Sequence, residues 1–313
     1  MQPYIKAKTM NEQPLVSILI NNYNYERFLP EAIESVLNQN YSPVEIVVVD
    51  DGSKDNSQEV IRCYGEKVIS VFKKNGGQAS AFNAGFSASH GEIICFLDAD
   101  DYYYVDKVGH IVDIFRQYPA AGWIFHELDD LDQNGNSVER AENQCLSEFK
   151  LTNFRDDLLK GNSLCWMPAT SGLCFRRNIL DKILPMPENM RISADNFLRL
   201  AATYLGSGIL LPEKLAVHRI HGSNLFEFRP DLEYINAETN IKTSYYLKQK
   251  FPETKPFADR LFAHSLGRMV AKDGFAKAYK ITESREYINQ SSWEFWLSCA
   301  PRIVYNYAKA VLT

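Results

Sequence analysis

The chain has 313 residues, of which 45% are hydrophobic and 23% are charged, and its formal net charge is −5 at pH 7. This length and apolar content are sufficient for one large domain or two modest domains with a sizeable core. The basic residues are scattered rather than massed, which excludes the basic footprint typical of nucleic-acid-binding proteins. We therefore expect no nucleic-acid partner.

The six cysteines show no C-x-x-C pair and no histidine at zinc-binding spacing. Several lie in apolar segments, which favours buried, reduced thiols in a cytosolic protein. The N-terminal tail, residues 1–14, is polar and has no apolar region typical of a secretion signal. No apolar stretch approaches the roughly 20 residues needed to cross a bilayer. We expect a cytoplasmic protein that is either soluble or peripheral on the inner face of the cell membrane.

Strands and helices alternate through the first hundred residues. Short apolar runs predict strands at 15–20, 44–49, 68–72 and 93–97, and helical patterns separate them. Four such alternations indicate a parallel sheet with right-handed crossovers. The predicted fold class is therefore α/β, with a Rossmann-like, mostly parallel sheet flanked by helices.

The later elements are predicted from shorter patterns. A helix is expected at 105–115, strands at 122–127, 171–176 and 214–219, and another helix at 194–205. The polar segment 129–143 is expected to form loops or a hairpin, with a turn at Asn134-Gly135. Beyond about residue 225 the sequence changes to long helical patterns, which predict a C-terminal helical extension at 225–313.

Three carboxylates follow the fourth predicted strand. Asp98, Asp100 and Asp101 end the apolar run, at the side where ligands bind in open α/β sheets. Aspartates separated by one residue can share a hard divalent cation that bridges to a phosphate-bearing substrate. The alternative is that one aspartate caps the next helix and the others are solvated.

The first predicted turn lacks the glycines of a phosphate-binding loop. No glycine lies between Ile20 and Arg27, so neither the dinucleotide-binding motif nor the P-loop is present. Phosphates would therefore have to be neutralised in another way, and aspartates with a bound metal are available for this.

Four segments, in this order and spacing, resemble the family 2 glycosyltransferases, which have the nucleotide-diphosphosugar-binding GT-A fold. They are Val16-Ser-Ile-Leu-Ile-Asn-Asn-Tyr-Asn24 with Ala32-Ile-Glu-Ser-Val-Leu-Asn-Gln39; Glu45-Ile-Val-Val-Val-Asp-Asp-Gly-Ser53; Asn75-Gly-Gly with Asn83-Ala-Gly85; and Gly91-Glu92 running to Leu97-Asp-Ala-Asp-Asp101. The resemblance is strong over 1–104 and loose over 105–224. One departure is Asn21-Asn22, where the family more often has Pro-Thr.

The resemblance implies a metal-assisted, inverting transfer of a sugar from a nucleotide-diphospho-sugar, most often a UDP-sugar. The acceptor would be a glycan or a lipid-linked saccharide in surface polysaccharide synthesis. It also implies a transferase domain at 15–224, with a nucleotide-sugar half at 15–104 and an acceptor half at 105–224.

By position, the resemblance assigns the nucleotide to residues of the first half. Asn21 and Tyr23 would frame the nucleobase, and Asp51 would accept a hydrogen bond from a base N–H. Asp98 would contact the ribose or the sugar. From its spacing alone, Asp51 is equally typical of an Asx turn with Gly52.

The resemblance also implies the groups for metal binding and catalysis. Asp100 would hold Mg²⁺ or Mn²⁺ on the diphosphate, and Arg219 or His221 would reach it as a charge clamp or a metal ligand. A structural role for the histidine in its turn remains an alternative. Asp195, at the start of a predicted helix, would be the general base, or else an ordinary first-turn acid. We interpret Asp101 as an N-cap of the helix at 105–115.

Two features leave alternatives open. Trp166, with the stretch at 170–172, would border the acceptor pocket or simply belong to the core. The C-terminal segment would form either an interfacial helix on anionic lipid or a packing and homo-oligomer contact. Its residues are Trp293, Phe295, Trp296, Arg302, Ile303, Val304, Tyr305, Lys309 and Val311.

Two other function classes compete with a transferase. A sugar-nucleotidyltransferase on a similar sheet would need a glycine-rich basic loop after the first strand, which residues 21–27 do not supply. A non-catalytic binding or scaffold protein could keep the fold. The joint presence of Asp51, Asp98, Asp100 and Asp195 disfavours it.

Overall fold

The computed structural model describes residues 13–132, 134–138, 149–164, 167–222, 224 and 229–312. These residues form two compact units. The first unit contains the described residues of 1–153, 166–191 and 205–221, and the second contains those of 154–165, 192–204 and 222–313. Two segments that lie within the transferase domain expected from the resemblance, the described residues of 154–164 and 192–204, belong to the second unit.

Within the described residues, the first unit is built on one nine-stranded sheet. Its strands are β1 Val16–Asn22, β2 Val44–Asp50, β3 Ile69–Phe72, β4 Ile93–Asp98, β5 Tyr102–Tyr103, β6 Trp123–Asp132, β7 Lys150–Thr152, β8 Leu173–Arg176 and β9 Gly208–Ile220. They lie in the order β3-β2-β1-β4-β8-β6-β9-β5, and β7 pairs with β9. The first four strands are parallel, as predicted, and so are β6 and β9. β8 runs antiparallel to both β4 and β6.

The helices of the two units follow in chain order. They are α1 Leu29–Leu37, α2 Ser57–Cys63, α3 Gln78–Ala88, α4 Lys107–Gln117, α5 Arg155–Lys160, α6 Arg177–Ile183, α7 Asp195–Leu205, α8 Leu232–Lys250, α9 Lys255–Asp273, α10 Phe275–Lys280, α11 Thr282–Gln290 and α12 Trp293–Leu312. None of the described helices is long and apolar enough to cross a membrane.

Both faces of the parallel strands are buried, which explains their continuous apolar sequences. Side chains alternate along a strand, so Ile18 and Ile20 share a core cluster with residues of α1, α2 and α4. Leu19 points the other way and lies near Gly85 of α3. On that face Phe96 packs edge-on against Phe82 of α3, with ring centroids 4.8 Å apart. The predicted α/β class, with helices flanking the sheet, is confirmed.

The register of the parallel strands aligns their polar ends. Asn22 at the end of β1 pairs with Asp50 at the end of β2, and Asn21 pairs with Asp98 at the end of β4. Polar residues that are far apart in the sequence therefore share one edge of the sheet. This edge positions the candidate site.

β6 is longer than its sequence pattern predicts. It continues to Asp132 because it pairs with β9 along its whole length, with irregular register near Glu127. The turn expected at Asn134-Gly135 is present, since Gly135 N–H donates to Asp132 O at 3.0 Å. An isolated antiparallel bridge joins Leu131 to Ser137.

The helices of the second unit enclose a core of their own. The ring of Tyr287 in α11 stacks on Phe262 in α9, with ring centroids 4.0 Å apart. Its hydroxyl donates to Asp259 at 2.6 Å, so the buried polar end is satisfied. The predicted helical composition after residue 225 is confirmed for the described residues.

The prediction of buried thiols is confirmed for three of the four described cysteines. Cys95, Cys174 and Cys299 are buried, Cys63 is exposed, and these four are free. Cys145 and Cys165 lie outside the described residues.

Candidate active site

Two asparagines at the end of β1 hold the acids of the neighbouring strands. Asn21 donates from its side-chain amide to Asp98 Oδ1 at 2.5 Å, and Asn22 donates to Asp50 Oδ1 at 2.9 Å. The Oδ1 atoms of Asn21 and Asn22 are buried and accept no hydrogen bond from the described residues. Buried acceptors of this kind normally have a partner, so this edge offers two positions for donors of a bound ligand.

Asp51 fixes the loop that follows β3. Its carboxylate accepts from Lys73 Nζ at 2.6 Å, Gly76 N–H at 2.9 Å and Gly77 N–H at 2.7 Å. Gly77 has φ 88°, and a Cβ there would lie 2.6 Å from Arg191 Cα, so the loop requires glycine at this position.

The local turn considered for Asp51 is made by its neighbour instead. Asp50 Oδ2 accepts from Ser53 N–H at 3.2 Å and from Gln58 Nε2 at 3.0 Å. Asp50 is fully buried, at 0% exposure, and therefore depends on these donors. Sequence reasoning did not single it out.

Asp100 and His221 are brought together from distant parts of the sequence. His221 Nε2 lies 3.2 Å from Asp100 Oδ2, and both residues are buried. The imidazole stacks on Phe28 with ring centroids 4.4 Å apart and meets Tyr25 edge-on. These aromatic rings fix the imidazole so that one nitrogen faces the carboxylate.

The pair suits two adjacent ligands of a small divalent cation. Metal–ligand distances of about 2.1 Å in an octahedral shell place adjacent ligand atoms about 3 Å apart, close to the observed separation. The described residues contain no group of three or more His, Cys, Asp or Glu side chains arranged for a metal. Among the described residues a cation here would have two protein ligands, and oxygens of water or a bound substrate would complete its shell.

Asp101 does not cap the following helix, so that prediction is wrong. Its Oδ2 accepts from the Ser171 hydroxyl at 2.5 Å, and its Oδ1 accepts from Arg219 N–H at 2.8 Å. The residue before α4 is Asp106. Burial raises the pKa of Asp101 to about 6. The carboxylate thus joins the turn after β4 to β9, a role that depends on tertiary contacts.

Lys107 is bonded to the same polar network and was missed by sequence reasoning. It is 0% exposed, and its Nζ donates to Ser171 O at 2.8 Å. Nζ also lies 3.3 Å from the centroid of the Tyr103 ring. Burial lowers the pKa of Lys107 to about 8. The available signal was its helical spacing from Ile111 and Ile114, which places the lysine on the apolar side of α4.

Ser171 connects these groups. Its hydroxyl accepts from Asp98 N–H at 3.1 Å while donating to Asp101, and its carbonyl accepts from Lys107. The turn that carries the aspartates is therefore held by a buried polar network.

Arg219 is engaged through both its backbone and its side chain. Its guanidinium pairs with Glu31 at 2.8 Å and lies over the rings of Phe28 and Tyr102. The contact with a diphosphate that the resemblance implied stays a prediction. The same holds for Tyr23, which is half-buried beyond the end of β1.

Asp195 belongs to the second unit and is the first residue of α7. It is 7% exposed, and its Oδ2 lies 3.5 Å from an Arg199 guanidinium nitrogen one turn further along the helix. The base role stays a prediction. Trp166, considered for the acceptor pocket, lies outside the described residues.

A family model described as "Glycosyl transferase family 2" matches residues 17–184, more than half of the chain. The chain belongs to glycosyl transferase family 2. The match contains Asn21, Asp51, Asp98 and Asp100 and ends before Asp195. The resemblance inferred from sequence motifs is confirmed.

Relatives of this family 2 chain are named as glycosyltransferases. It is 44% identical over 216 residues to an uncharacterized glycosyltransferase of Nostoc sp., covering 67% of this chain and 66% of the relative. It is 43% identical over 275 residues to one of Rickettsia typhi, covering 86% of this chain and 83% of the relative. The match to a relative in Rickettsia conorii covers only 40% of that relative's length. The chain thus spans less than two thirds of some relatives.

Solved structures show the same GT-A fold. S. aureus TarS in complex with UDP-GlcNAc is similar with a TM-score of 0.61 and 18% identity, over 93% of this chain and 83% of TarS. The mannosyltransferase PcManGT from Pyrobaculum calidifontis, in complex with GDP-Man and Mn²⁺, has a TM-score of 0.52 and 16% identity, over 96% of this chain and 88% of that enzyme. At these identities the likeness establishes the fold.

Proposed function

We propose that the protein transfers a sugar from a nucleotide-diphospho-sugar, first of all a UDP-sugar, to a glycan or lipid-linked saccharide during surface polysaccharide synthesis. The observation that carries the proposal is the convergence of the Asn21–Asp98 and Asp100–His221 pairs in a chain of this family. TarS complexes contain UDP or UDP-GlcNAc, which supports a UDP-sugar donor. A chondroitin synthase of Escherichia coli, 31% identical over 152 residues, supports a glycan product.

The nucleotide would bind along the carboxyl ends of the first strands. Asn21 and Tyr23 would frame the base, and the buried Asn21 Oδ1 is available to accept a hydrogen bond. Asp51 already accepts three hydrogen bonds, and a carboxylate offers about four acceptor positions, so one remains for a base N–H. Asp98, held by Asn21, would contact the ribose or the sugar.

Asp100 and His221 would hold Mg²⁺ or Mn²⁺ when the donor binds. Their separation of 3.2 Å and their oxygen and imidazole donors suit such an ion with few protein ligands. The ion would neutralise charge that develops on the departing nucleoside diphosphate. Arg219 would add positive charge to the diphosphate after its guanidinium leaves Glu31.

Asp195 would deprotonate the acceptor hydroxyl as that oxygen attacks the anomeric carbon, giving inversion. Asp195 is the first residue of α7, and its Oδ2 lies 3.5 Å from an Arg199 guanidinium nitrogen. We propose residues 15–224 as the transferase region, acting in the cytoplasm.

Nucleotide binding tests the donor site. Calorimetry with UDP and Mn²⁺ should show metal-dependent binding that weakens about tenfold or more in Asp100→Asn and in His221→Ala. His90→Ala is the matched control, because that histidine is exposed, and it should bind as wild type does. Metal-dependent binding that survives both substitutions would refute the assignment. Absence of any nucleotide binding by the wild type would favour a scaffold.

A rate measurement tests the base. Asp195→Asn should slow transfer by about 10²- to 10⁴-fold while nucleotide binding stays normal. Asp156→Asn removes an exposed first-turn acid of α5 and should be silent. Wild-type activity of Asp195→Asn on the true acceptor would exclude this role. A screen of nucleotide sugars for slow hydrolysis, detected as released nucleoside diphosphate, would identify the donor and exclude a nucleotidyltransferase.

A further inference from the structure

α12 is a 20-residue helix with one face buried inside the second unit. Phe295, Cys299, Asn306 and Ala310 form that inner face. The helix approaches α9 closely, since a Cβ on Gly267 would lie 2.5 Å from Ile303 O. The inner face is therefore already used in packing, and α12 can offer only its opposite side to a partner.

The opposite side of α12 concentrates the exposed apolar surface of the described chain. Of fourteen exposed large hydrophobic or aromatic residues among those described, eight lie in this helix. We call them the outer face of α12, and they are Trp293, Trp296, Leu297, Val304, Tyr305, Tyr307, Val311 and Leu312. Trp293, Leu297 and Val304 are 70%, 69% and 65% exposed. A concentration of exposed apolar side chains of this kind is typical of an interaction site.

The composition of the outer face distinguishes between partners. Four of its eight residues are Trp or Tyr, whose apolar rings and polar tips suit the boundary between water and lipid. A helix pairing with another helix would more typically repeat Leu, Ile or Val along its seam. The outer face therefore favours a lipid surface over a second copy of the chain.

Positive charge borders the outer face on one side. At 100° per residue, Arg302 and Lys309 fall next to Tyr305 and away from Trp296, and both are exposed. Glu294 is the acid of this helix, so the basic residues outnumber it. Such a border is complementary to anionic phospholipid headgroups.

His264 of α9 lies close to the basic residues of α12. His264 has its pKa lowered by burial and by the charges of Arg268, Arg302 and Lys309. Arg268 is partly neutralised, because it pairs with Glu233 at 3.0 Å. Arg302 and Lys309 are the basic residues of α12 that border the outer face.

We propose that the outer face of α12 docks on the surface of a bilayer containing anionic phospholipid. The helix lies parallel to the membrane, with Trp293, Leu297 and Val304 at the headgroup–acyl boundary and Arg302 and Lys309 against lipid phosphates. The docking itself is independent of catalysis. Its use, to present a lipid-linked acceptor, rests on the proposed transferase function.

Vesicle cosedimentation of the full chain tests the docking. Wild type should bind phosphatidylcholine vesicles weakly and vesicles that also contain phosphatidylglycerol more tightly, and added salt should weaken the difference. The triple variant Trp293→Ser/Leu297→Ser/Val304→Ser should lose about tenfold or more of its partitioning. Phe275→Ser, which removes an exposed aromatic from α10, is the matched control and should bind as wild type.

A second variant separates charge from apolar contact. Arg302→Gln/Lys309→Gln should weaken binding to phosphatidylglycerol vesicles by about fivefold per charge and leave binding to phosphatidylcholine unchanged. Each variant should keep the far-ultraviolet circular dichroism and melting temperature of the wild type. Metal-dependent UDP binding should also persist in both variants. Vesicle binding then reports the docking surface, and UDP binding reports the donor site.

Three results would overturn the proposal. Wild type does not bind anionic vesicles, or the triple variant binds them as well as wild type does, or wild type binds equally well with and without phosphatidylglycerol. If light scattering shows a concentration-dependent dimer that the triple variant abolishes, with no vesicle binding, the outer face is a contact between copies instead.

Discussion

Replacement of the buried Lys107 by methionine should change the free energy of unfolding by an amount that depends on pH. Lys107→Met keeps the apolar stem and removes the ammonium group that bonds to Ser171 O and lies on the Tyr103 ring. Near neutral pH two contributions oppose each other. Loss of the charged hydrogen bond costs about 1.5–3 kcal/mol. Loss of the cation–π contact costs about 2 kcal/mol. The relieved burial of the ammonium charge offsets part of this cost.

The change of this stability difference with pH is a more specific prediction than its size at any one pH. Burial lowers the pKa of Lys107 from 10.5 to about 8, so between these values the unfolded chain binds more protons than the folded chain. Wild-type stability should therefore rise through this window, and the contribution of Lys107 grows by about 2.5 kcal/mol between about pH 7 and pH 10. Methionine cannot titrate, so Lys107→Met should become less stable than wild type by that additional amount.

Urea unfolding at both pH values measures this difference. Comparing wild type with variant cancels groups that titrate equally in both proteins. Lys67→Met removes an exposed lysine and should show no such change. If the stability difference between wild type and Lys107→Met is the same at both pH values, desolvation does not set the pKa of Lys107.

Three further substitutions test packing and hydrogen bonding. Gly208→Ala should destabilise the first unit by about 3 kcal/mol or more, seen as a lower urea midpoint, because its Cβ would lie 2.0 Å from the Trp123 ring. Tyr287→Phe should cost about 1–3 kcal/mol in the same assay, since the buried Asp259 loses a donor at 2.6 Å. Asp51→Asn should cost about 2 kcal/mol and weaken UDP binding in calorimetry, because one carboxylate oxygen becomes an amide facing N–H donors.

Matched controls separate these effects from those of substitution in general. Gly222→Ala adds a Cβ with nothing within 4 Å and should be neutral. Tyr305→Phe removes an exposed hydroxyl, and Asp113→Asn removes an exposed carboxylate. Equal losses in a test variant and its control would contradict the corresponding contact.

Most of the strands, most helices and the location of the site edge follow from local patterns. Val16–Asn22 and Ile93–Asp98 are recognisable because a strand buried on both faces needs a continuous apolar sequence. Asp98 and Asp100 were singled out because they end such a strand at the ligand-binding edge, whereas Asn21 was assigned from the family resemblance. The length of β6 was underestimated, since pairing with β9 carries its polar residues beyond the apolar run.

The sequence by itself determined most of the elements of the sheet and which family the chain resembles, because these depend on neighbours along the chain. Only the tertiary structure decided what the acids do. Asp100 meets His221 across 121 positions, whereas the adjacent Asp101 accepts from Ser171 and Arg219. Hydrogen bonds and desolvation depend on which groups surround a side chain in space. Three acids that follow one strand can therefore differ in every partner.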